Sequence, residues 1–434
     1  MENTKTIAKA RQGLHGTIEI PGDKSISHRS VMFSALGSTP VHITNFLHAQ
    51  DCLSTAACMK ALGASVEFES ETALTVCGHG LHGLKEASTI IDAGNSGTTL
   101  RLMMGILAPQ PFLTTFTGDA SLHKRPMGRV IKPLSAMGAK IYGRENNTKL
   151  PITIVPAESR LHGMVYESPV ASAQVKSAIL LAGMYADGPT TVVEPFTSRD
   201  HTERMLEAFG VETKKEGTAV TIEPVDSFRA PEAIEVPGDI SSAAYWLVAG
   251  SVVPGSSLLL KNVGVNPTRT GILDVLKAMG ASVTLENERV SGGEAAADIR
   301  VEAAKLHGTS FGAEIMPRLI DDIPVIAVAA LFAEGDTVIT GAGELRVKET
   351  DRLQAITDEF NKLAPGSVEA SEDGLVIHGG TKVQCANCFS YDDHRMAMSL
   401  AILGTAGEGV EIERPDCVNI SYPAFYGTLA RLQA

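Results

Sequence analysis

Two hydrophobic patterns alternate along this chain, and they predict different elements. Ser177-Ala-Ile-Leu-Leu-Ala-Gly-Met184 and Ala243-Ala-Tyr-Trp-Leu-Val-Ala-Gly250 are apolar on nearly all sides, the mark of helices buried at the centre of a domain. Ser65-Val-Glu-Phe-Glu69 and Ser282-Val-Thr-Leu-Glu286 instead alternate, with the period of half-buried strands. Helices preceding such strands end at Met137-Gly138-Ala139, Phe209-Gly210-Val211 and Met279-Gly280-Ala281, where Gly suits the left-handed C′ position. His-Gly at His15, His82, His162 and His307 introduces further short strand-like segments. Together these signals predict repeated units of about 70 residues, each a compact mix of strands and two helices.

The repeat also works on a larger scale. Ile18-Glu-Ile-Pro-Gly-Asp-Lys-Ser25 recurs as Ile234-Glu-Val-Pro-Gly-Asp-Ile-Ser241, and Lys60-Ala-Leu-Gly-Ala-Ser-Val66 recurs as Lys277-Ala-Met-Gly-Ala-Ser-Val283, at the same offset to within one residue. One half is a copy of the other, the second beginning near Pro231. The expected domains are 21–233, and a discontinuous one made of 1–20 and 234–434.

Six polar clusters run straight into apolar helices: Gly22-Asp-Lys-Ser25, Gly94-Asn-Ser-Gly97, Ser172-Ala-Gln174, Gly238-Asp-Ile-Ser241, Asp321-Asp322 and Asp392-Asp-His-Arg395. They resemble N-caps. A helix start carries unpaired N–H groups and a partial positive charge, which makes it an anion site when it opens onto a cleft. The chain has 37 Lys plus Arg against 50 Asp plus Glu, a net charge of −13, the wrong sign for a protein that neutralises nucleic-acid phosphates. Yet Lys24, Arg29, Arg101, Lys176 and Arg395 crowd the helix starts, which points to small anionic substrates. Two charged segments add to this, Ser121-Leu-His-Lys-Arg-Pro-Met-Gly-Arg129 and Leu345-Arg-Val-Lys-Glu-Thr-Asp-Arg352. Arg125 suits bidentate capture of a carboxylate or phosphate. Glu349 and Arg352, three apart, read equally well as a helix-surface ion pair.

Other chemistries find little support. Gly78-His-Gly80-Leu-His-Gly83 matches a dinucleotide fingerprint, but too few residues follow for the helix that fingerprint requires. These glycines read as a turn between units. No GxxxxGK[ST], HExxH or GxSxG pattern occurs. Cys385-Ala-Asn-Cys388 lacks a second ligand pair, so no metal is expected and the six cysteines read as reduced thiols. The apolar runs are about half the length a membrane span needs, and Met1–Gly16 lacks the apolar core of a secretory signal. The expectation is a cytoplasmic protein with no membrane or nucleic-acid partner.

At this level of detail the residues match a family. Gly22-Asp-Lys-Ser-Ile-Ser-His-Arg29, Gly94-Asn-Ser-Gly-Thr98, Lys124-Arg-Pro126, Ser172-Ala-Gln174, Arg346-Val-Lys-Glu-Thr-Asp-Arg352 and Asp393-His-Arg-Met-Ala-Met398 together resemble the 5-enolpyruvylshikimate-3-phosphate synthases, in order and along the whole chain. The resemblance implies an α/β (α+β) fold: two domains, each an inside-out α/β barrel of three βαβαββ units with buried parallel helices, which close over their substrates. It implies a transferase of the shikimate pathway, on the route to chorismate and the aromatic amino acids. This enzyme, a 3-phosphoshikimate 1-carboxyvinyltransferase, moves the enolpyruvyl group of phosphoenolpyruvate to the 5-hydroxyl of shikimate 3-phosphate and releases phosphate. No cofactor is implied, and a monomer is expected.

By the same resemblance, Lys24, Ser25, Arg29, Ser172, Gln174, Ser198, Asp321 and Lys348 hold shikimate 3-phosphate. Lys24, Gly97, Arg125, Gln174, Arg352 and Arg395 hold phosphoenolpyruvate, and Asp321, Glu349 and Lys24 are the catalytic groups. Gly97 implies sensitivity to glyphosate. The chain departs from the family pattern at Ile420-Ser-Tyr-Pro423, where many members carry a basic residue, and Lys176 is a candidate to supply that grip. Glu344 stands where some relatives have a substrate-holding Asn, and Ala173 where some have a second Ser. The alternatives are the sister transferase acting on UDP-N-acetylglucosamine, whose mobile loop normally carries a Cys absent from Gly118–Arg125, and a non-catalytic anion-binding protein of the same fold. The latter would need the basic residues but neither Asp321 nor Glu349.

Overall fold

The computed structural model describes residues 3–434. The chain forms two compact units, one holding the segment up to Pro21 with Gly238–Arg289 and Ala295–Ala434, the other holding Gly22–Pro237 with Val290–Glu294. The passages thus fall at Pro21/Gly22 and Pro237/Gly238, and residues 290–294 join the 22–237 unit. The reason lies in strand pairing. Ala233–Glu235 adds in parallel to Val41–Thr44, so it completes a sheet of the 22–237 unit, whereas the equivalent strand of the repeat, His15–Glu19, pairs in parallel with Ser257–Gly264 in the other unit.

Each unit contains three sheets. In the 22–237 unit each has four strands and the same order of pairing, one parallel and two antiparallel contacts. Val165–Glu167, Thr190–Val193, Ala219–Ile222 and Thr213–Glu216 show the pattern. The other unit departs from it in its last sheet, where Asn387–Phe389 lies parallel to Val410–Glu413 and the third strand is Thr4–Ile7, antiparallel to Val410–Glu413. The sixth unit therefore lacks the final strand pair of a βαβαββ repeat. All six sheets are open, so the α/β character rests on mixed sheets and helices, with no closed strand barrel.

Against the sheets lie helices of two kinds, as the sequence patterns predict. Lys24–Ser34, Gly97–Leu107 and Ala173–Gly183 in one unit, and Ile240–Val252, Ile323–Leu331 and His394–Ala406 in the other, are buried along most of their length. Their polar starts are held by side chains in four cases: Asp23 accepts from Ile26 N–H, Ser96 from Thr99, Asp239 from Ser241, and Asp393 from Arg395 and Met396. Ser172 and Asp322 make no such cap. Among the described residues no helix is long and apolar enough to cross a membrane.

Glycine permits the closest crossing of two buried helices. A Cβ on Gly105 would lie 2.2 Å from the Ala178 carbonyl oxygen and 2.8 Å from its Cα, both backbone atoms that cannot rotate away. Gly105→Ala is expected to force Gly97–Leu107 and Ala173–Gly183 apart and to cost about 1–3 kcal/mol. The denaturant midpoint reads this directly; an unchanged midpoint would show that the helices can separate freely.

Candidate active site

The predicted site residues form two groups, one in each unit. In the 22–237 unit they sit at the starts of the three buried helices. Lys24, at the first turn of Lys24–Ser34, forms an ion pair with Asp51. Burial pushes the Asp51 carboxyl up, but Lys24 outweighs it and holds the group below its ordinary value. One turn on, Arg29 is buried and all its bonds go to neutral oxygens: Nε to Thr202 Oγ1 at 2.8 Å, Nη1 to the Ser25 carbonyl at 2.9 Å, and Nη2 to Ser177 Oγ at 3.0 Å.

Around Gly97 the structure collects arginines. Arg125 donates from Nη2 to Asn95 Oδ1 at 2.7 Å and from Nη1 to the Asn95 carbonyl at 3.3 Å. Arg101, four residues into the helix, is 6% exposed. Its Nη1 donates to Gln174 Oε1 at 2.6 Å, the Gln174 amide donates on to Thr98 Oγ1 at 3.0 Å, and the Arg101 Nε–H is buried without a partner. No carboxylate is among its bonds. Burial first, then the neighbouring Arg129 and Arg125 charges, push its proton affinity down to about 9. Arginine nevertheless keeps its proton in proteins, so a buried positive charge stands here with no bonded carboxylate. A Cβ on Gly97 would lie 3.0 Å from Arg101 Nη1 and 3.5 Å from Arg125 Nη1, so the bare backbone leaves these guanidiniums in place. The sequence marks Arg101 as a helix-start cation, but only its isolation from acids reveals what it offers.

At the start of the third helix Ser172, together with Ser198 from the segment before the helix His201–Ala208, shares one carboxylate. Glu194 accepts the Ser172 N–H at 2.8 Å through Oε1, and the Ser198 N–H at 3.3 Å and hydroxyl at 2.7 Å through Oε2. Lys176, the candidate for the missing basic grip, is spent on buried acids, 3.2 Å from Glu194 and 2.7 Å from Glu203. Its side chain is 2% exposed.

In the other unit Arg352 is the centre. Though it starts the amphipathic helix Arg352–Leu363, its side chain is 1% exposed, and it forks onto buried Asp393 with Nε–Oδ2 at 2.7 Å and Nη2–Oδ1 at 3.3 Å. It also donates to Glu349 Oε2 at 2.6 Å and lies 3.5 Å from Asp321 Oδ1. The Glu349–Arg352 pair is therefore the rim of a buried network, unlike the surface pair its spacing also allows. Burial raises both Glu349 and Asp393, but the guanidinium wins and holds each carboxyl below its ordinary value. Lys348 Nζ lies 3.5 Å from Asp321 Oδ1 and 3.3 Å from Glu344 Oε1. Arg395 donates to the Asp321 carbonyl at 2.9 Å and sits 3.4 Å from Asp322 Oδ1. Asp322 thus serves Arg395 rather than capping its helix, and burial pushes its carboxyl up.

Each unit thus offers cations at buried helix starts, and one adds two carboxylates, Asp321 and Glu349, on a single arginine. Gly78–Gly83 joins Leu74–Cys77 to Ile91–Asp92 without a helix. Cys388 is buried, its thiol pushed up to about 12 by burial, then by Glu359, while Cys385 is exposed. Among the described residues no group of three or more His, Cys, Asp or Glu is placed to hold a metal ion.

The chain is 52% identical over 429 residues to a 3-phosphoshikimate 1-carboxyvinyltransferase of Bacillus cereus (strain 03BB102), covering 99% of both chains. It is 50% identical over 417 residues to that of Desulforamulus reducens, covering 96% of both. Among solved structures, EPSP synthase from Acinetobacter baumannii superposes with a TM-score of 0.91 at 42% identity, over 99% of this chain and 98% of that one. The enolpyruvyl transferase NikO from Streptomyces tendae shares the fold, with a TM-score of 0.79 at 17% identity over 100% of this chain and 98% of that one. The family model for EPSP synthase (3-phosphoshikimate 1-carboxyvinyltransferase) matches residues 8–429, and the chain belongs to that family.

Proposed function

We propose that this chain transfers the enolpyruvyl group of phosphoenolpyruvate to the 5-hydroxyl of shikimate 3-phosphate and releases phosphate, the shikimate-pathway reaction of its family, as a cytoplasmic monomer. The observation that carries the mechanism is the sharing of Arg352 by Asp321 and Glu349, at 3.5 and 2.6 Å. Shikimate 3-phosphate is assigned to Lys24, Ser25, Arg29, Ser172, Gln174, Ser198, Asp321 and Lys348. Phosphoenolpyruvate is assigned to Lys24, Gly97, Arg125, Gln174, Arg352 and Arg395, and we add Arg101, whose buried charge lacks a bonded acid.

Addition forms a bond from the 5-oxygen to C2 of the enol, with the hydroxyl proton passing to Asp321 and a proton reaching C3 from Glu349. Elimination returns the C3 proton to Glu349 and breaks the bond from C2 to the phosphate oxygen, and the hydroxyl proton leaves with phosphate. Burial raises the Glu349 carboxyl, but Arg352 outweighs it and holds the group below its ordinary value. An anionic substrate on Arg352 brings negative charge beside that carboxylate, which raises its affinity for a proton and readies it to serve C3. Lys24, Arg125 and Arg395 stabilise the charge that develops on the phosphate as it leaves.

The test is phosphate release from phosphoenolpyruvate in EDTA, with shikimate 3-phosphate or UDP-N-acetylglucosamine as acceptor. Release with the first alone is expected. Release with the sugar nucleotide alone would move the chain to the sister activity, and release with neither would leave an anion-binding protein.

A further inference from the structure

The mechanism leaves several buried charges unused, Glu194 among them. Glu194 follows the strand Thr190–Val193, its side chain is 2% exposed, and it touches none of the groups assigned to proton transfer. Both of its oxygens are nevertheless fully engaged. Oε1 takes the Ser172 N–H, and Oε2 takes the N–H and hydroxyl of Ser198 together with the Lys176 ammonium. Lys176 is anchored from its far side by Glu203 at 2.7 Å. Ser172 is the start of the helix Ala173–Gly183 and has no side-chain cap of its own, and Ser198 lies in the irregular segment between Thr190–Val193 and the helix His201–Ala208. One carboxylate thus ties two separate pieces of backbone to each other, and a buried ammonium fixes where that carboxylate sits.

From this geometry we infer that Glu194 is a positioning residue for the sugar-phosphate substrate, acting through Ser172 and Ser198. The inference rests on the assignment of those serines to shikimate 3-phosphate. An ionised carboxylate is required, because it presents only acceptors to three donors from the serines and one from Lys176. A Gln would turn an N–H₂ group toward donors on at least one side and leave the two serines without a common anchor. A carboxylate one methylene shorter keeps the charge that Lys176 needs but cannot span both serines. Misplacement of binding groups by about 1 Å costs on the order of 100-fold.

The experiment begins with binding of shikimate 3-phosphate alone to the wild-type protein, measured calorimetrically. Glu194→Gln is expected to weaken that binding roughly 10- to 100-fold and to raise the KM for shikimate 3-phosphate in parallel. With that substrate saturating, kcat and the KM for phosphoenolpyruvate should stay within about threefold of wild type, a change below 1 kcal/mol. Glu194→Asp is expected to fall between the two, and it carries the test if Glu194→Gln does not fold. A purely structural role would lower the melting temperature without this selective rise in one KM. The double variant E194Q/S198A is expected to bind no more weakly than its weaker parent, since both act on one group. Additive losses, or wild-type affinity in both Glu194 variants, would overturn the role of Glu194. Absence of binding by the wild-type protein would instead remove the assignment of the serines.

Discussion

Glu349→Gln is expected to lower turnover by about 10²- to 10⁴-fold, the usual contribution of a positioned acid–base group, while the fold survives. The amide keeps the volume of the carboxyl and can still accept the 2.6 Å bond from Arg352 Nη2, but it cannot take up or deliver the C3 proton. Stability changes little, because the Glu349 side chain is 46% exposed and solvent weakens such a pair. The sign of that small change is fixed. Net of burial, Arg352 holds Glu349 below its ordinary value, so its contribution is present above the unfolded carboxylate value and fades as pH falls through the folded one. Wild type and variant should therefore converge in melting temperature in acid. Rapid-quench measurement of phosphate release checks the kinetic claim, and a variant that keeps most of its turnover would reassign C3 chemistry to another group.

Arg352→Met should do more damage, to stability as well as to activity. The methionine fills much of the space of the arginine stem but strands Asp393, whose side chain is 0% exposed and otherwise holds only the start of the helix His394–Ala406. Breaking a buried pair by removing one partner costs about 3–5 kcal/mol, which in a unit of roughly 200 residues lowers its melting temperature by roughly 2–4 °C per kcal/mol. The pH dependence should also change sign. In the wild type the Asp393 carboxyl lies below its ordinary value, because Arg352 outweighs burial, so its stabilisation is lost as pH falls. Without the guanidinium, burial dominates and raises the same carboxyl, so acid stabilises the variant relative to neutral pH and the gap from wild type narrows. Arg352→Lys should fall between them, since an ammonium restores the charge but not the fork. Differential scanning calorimetry across pH decides this, and a variant melting with the wild type would show that Asp393 needs no cation.

What could be read in advance depended on how local each signal was. The buried helices were visible because a stretch such as Ile323–Leu331 offers no polar face, and the helix starts because Asp, Ser and Gly precede the apolar run directly. The fork from Arg352 to Asp393 was hidden, since the two are remote in sequence and the same arginine makes an ordinary three-residue pair with Glu349. The repeat likewise marked Ile234 as the counterpart of Ile18 but not which sheet each would enter, because the two copies of Ile-Glu-x-Pro-Gly-Asp are nearly identical and only pairing across the fold tells them apart. Glu194 carried no signal at all, being one acid after a strand, and its three serine donors become evident only when Ser172 and Ser198 are brought to it. Lys176 is the opposite case, a cation whose place at a helix start is plain in the sequence but whose acids, Glu194 and Glu203, lie on other elements.

The pairing of Thr4–Ile7 with Val410–Glu413, and of His15–Glu19 with Ser257–Gly264, also sets an order of events during synthesis. Thr4–Ile7 and His15–Glu19 are made before the segments they pair with, so each stays an unpaired edge until its partner has been added. Every sheet of the 22–237 unit, by contrast, is fully encoded once Glu235 has emerged. Thr4–Ile7 therefore cannot pair until Val410–Glu413 has been made, and the polar, charged run Lys9–Gln12 between the two strands lies where it helps to keep them from pairing with the wrong chain.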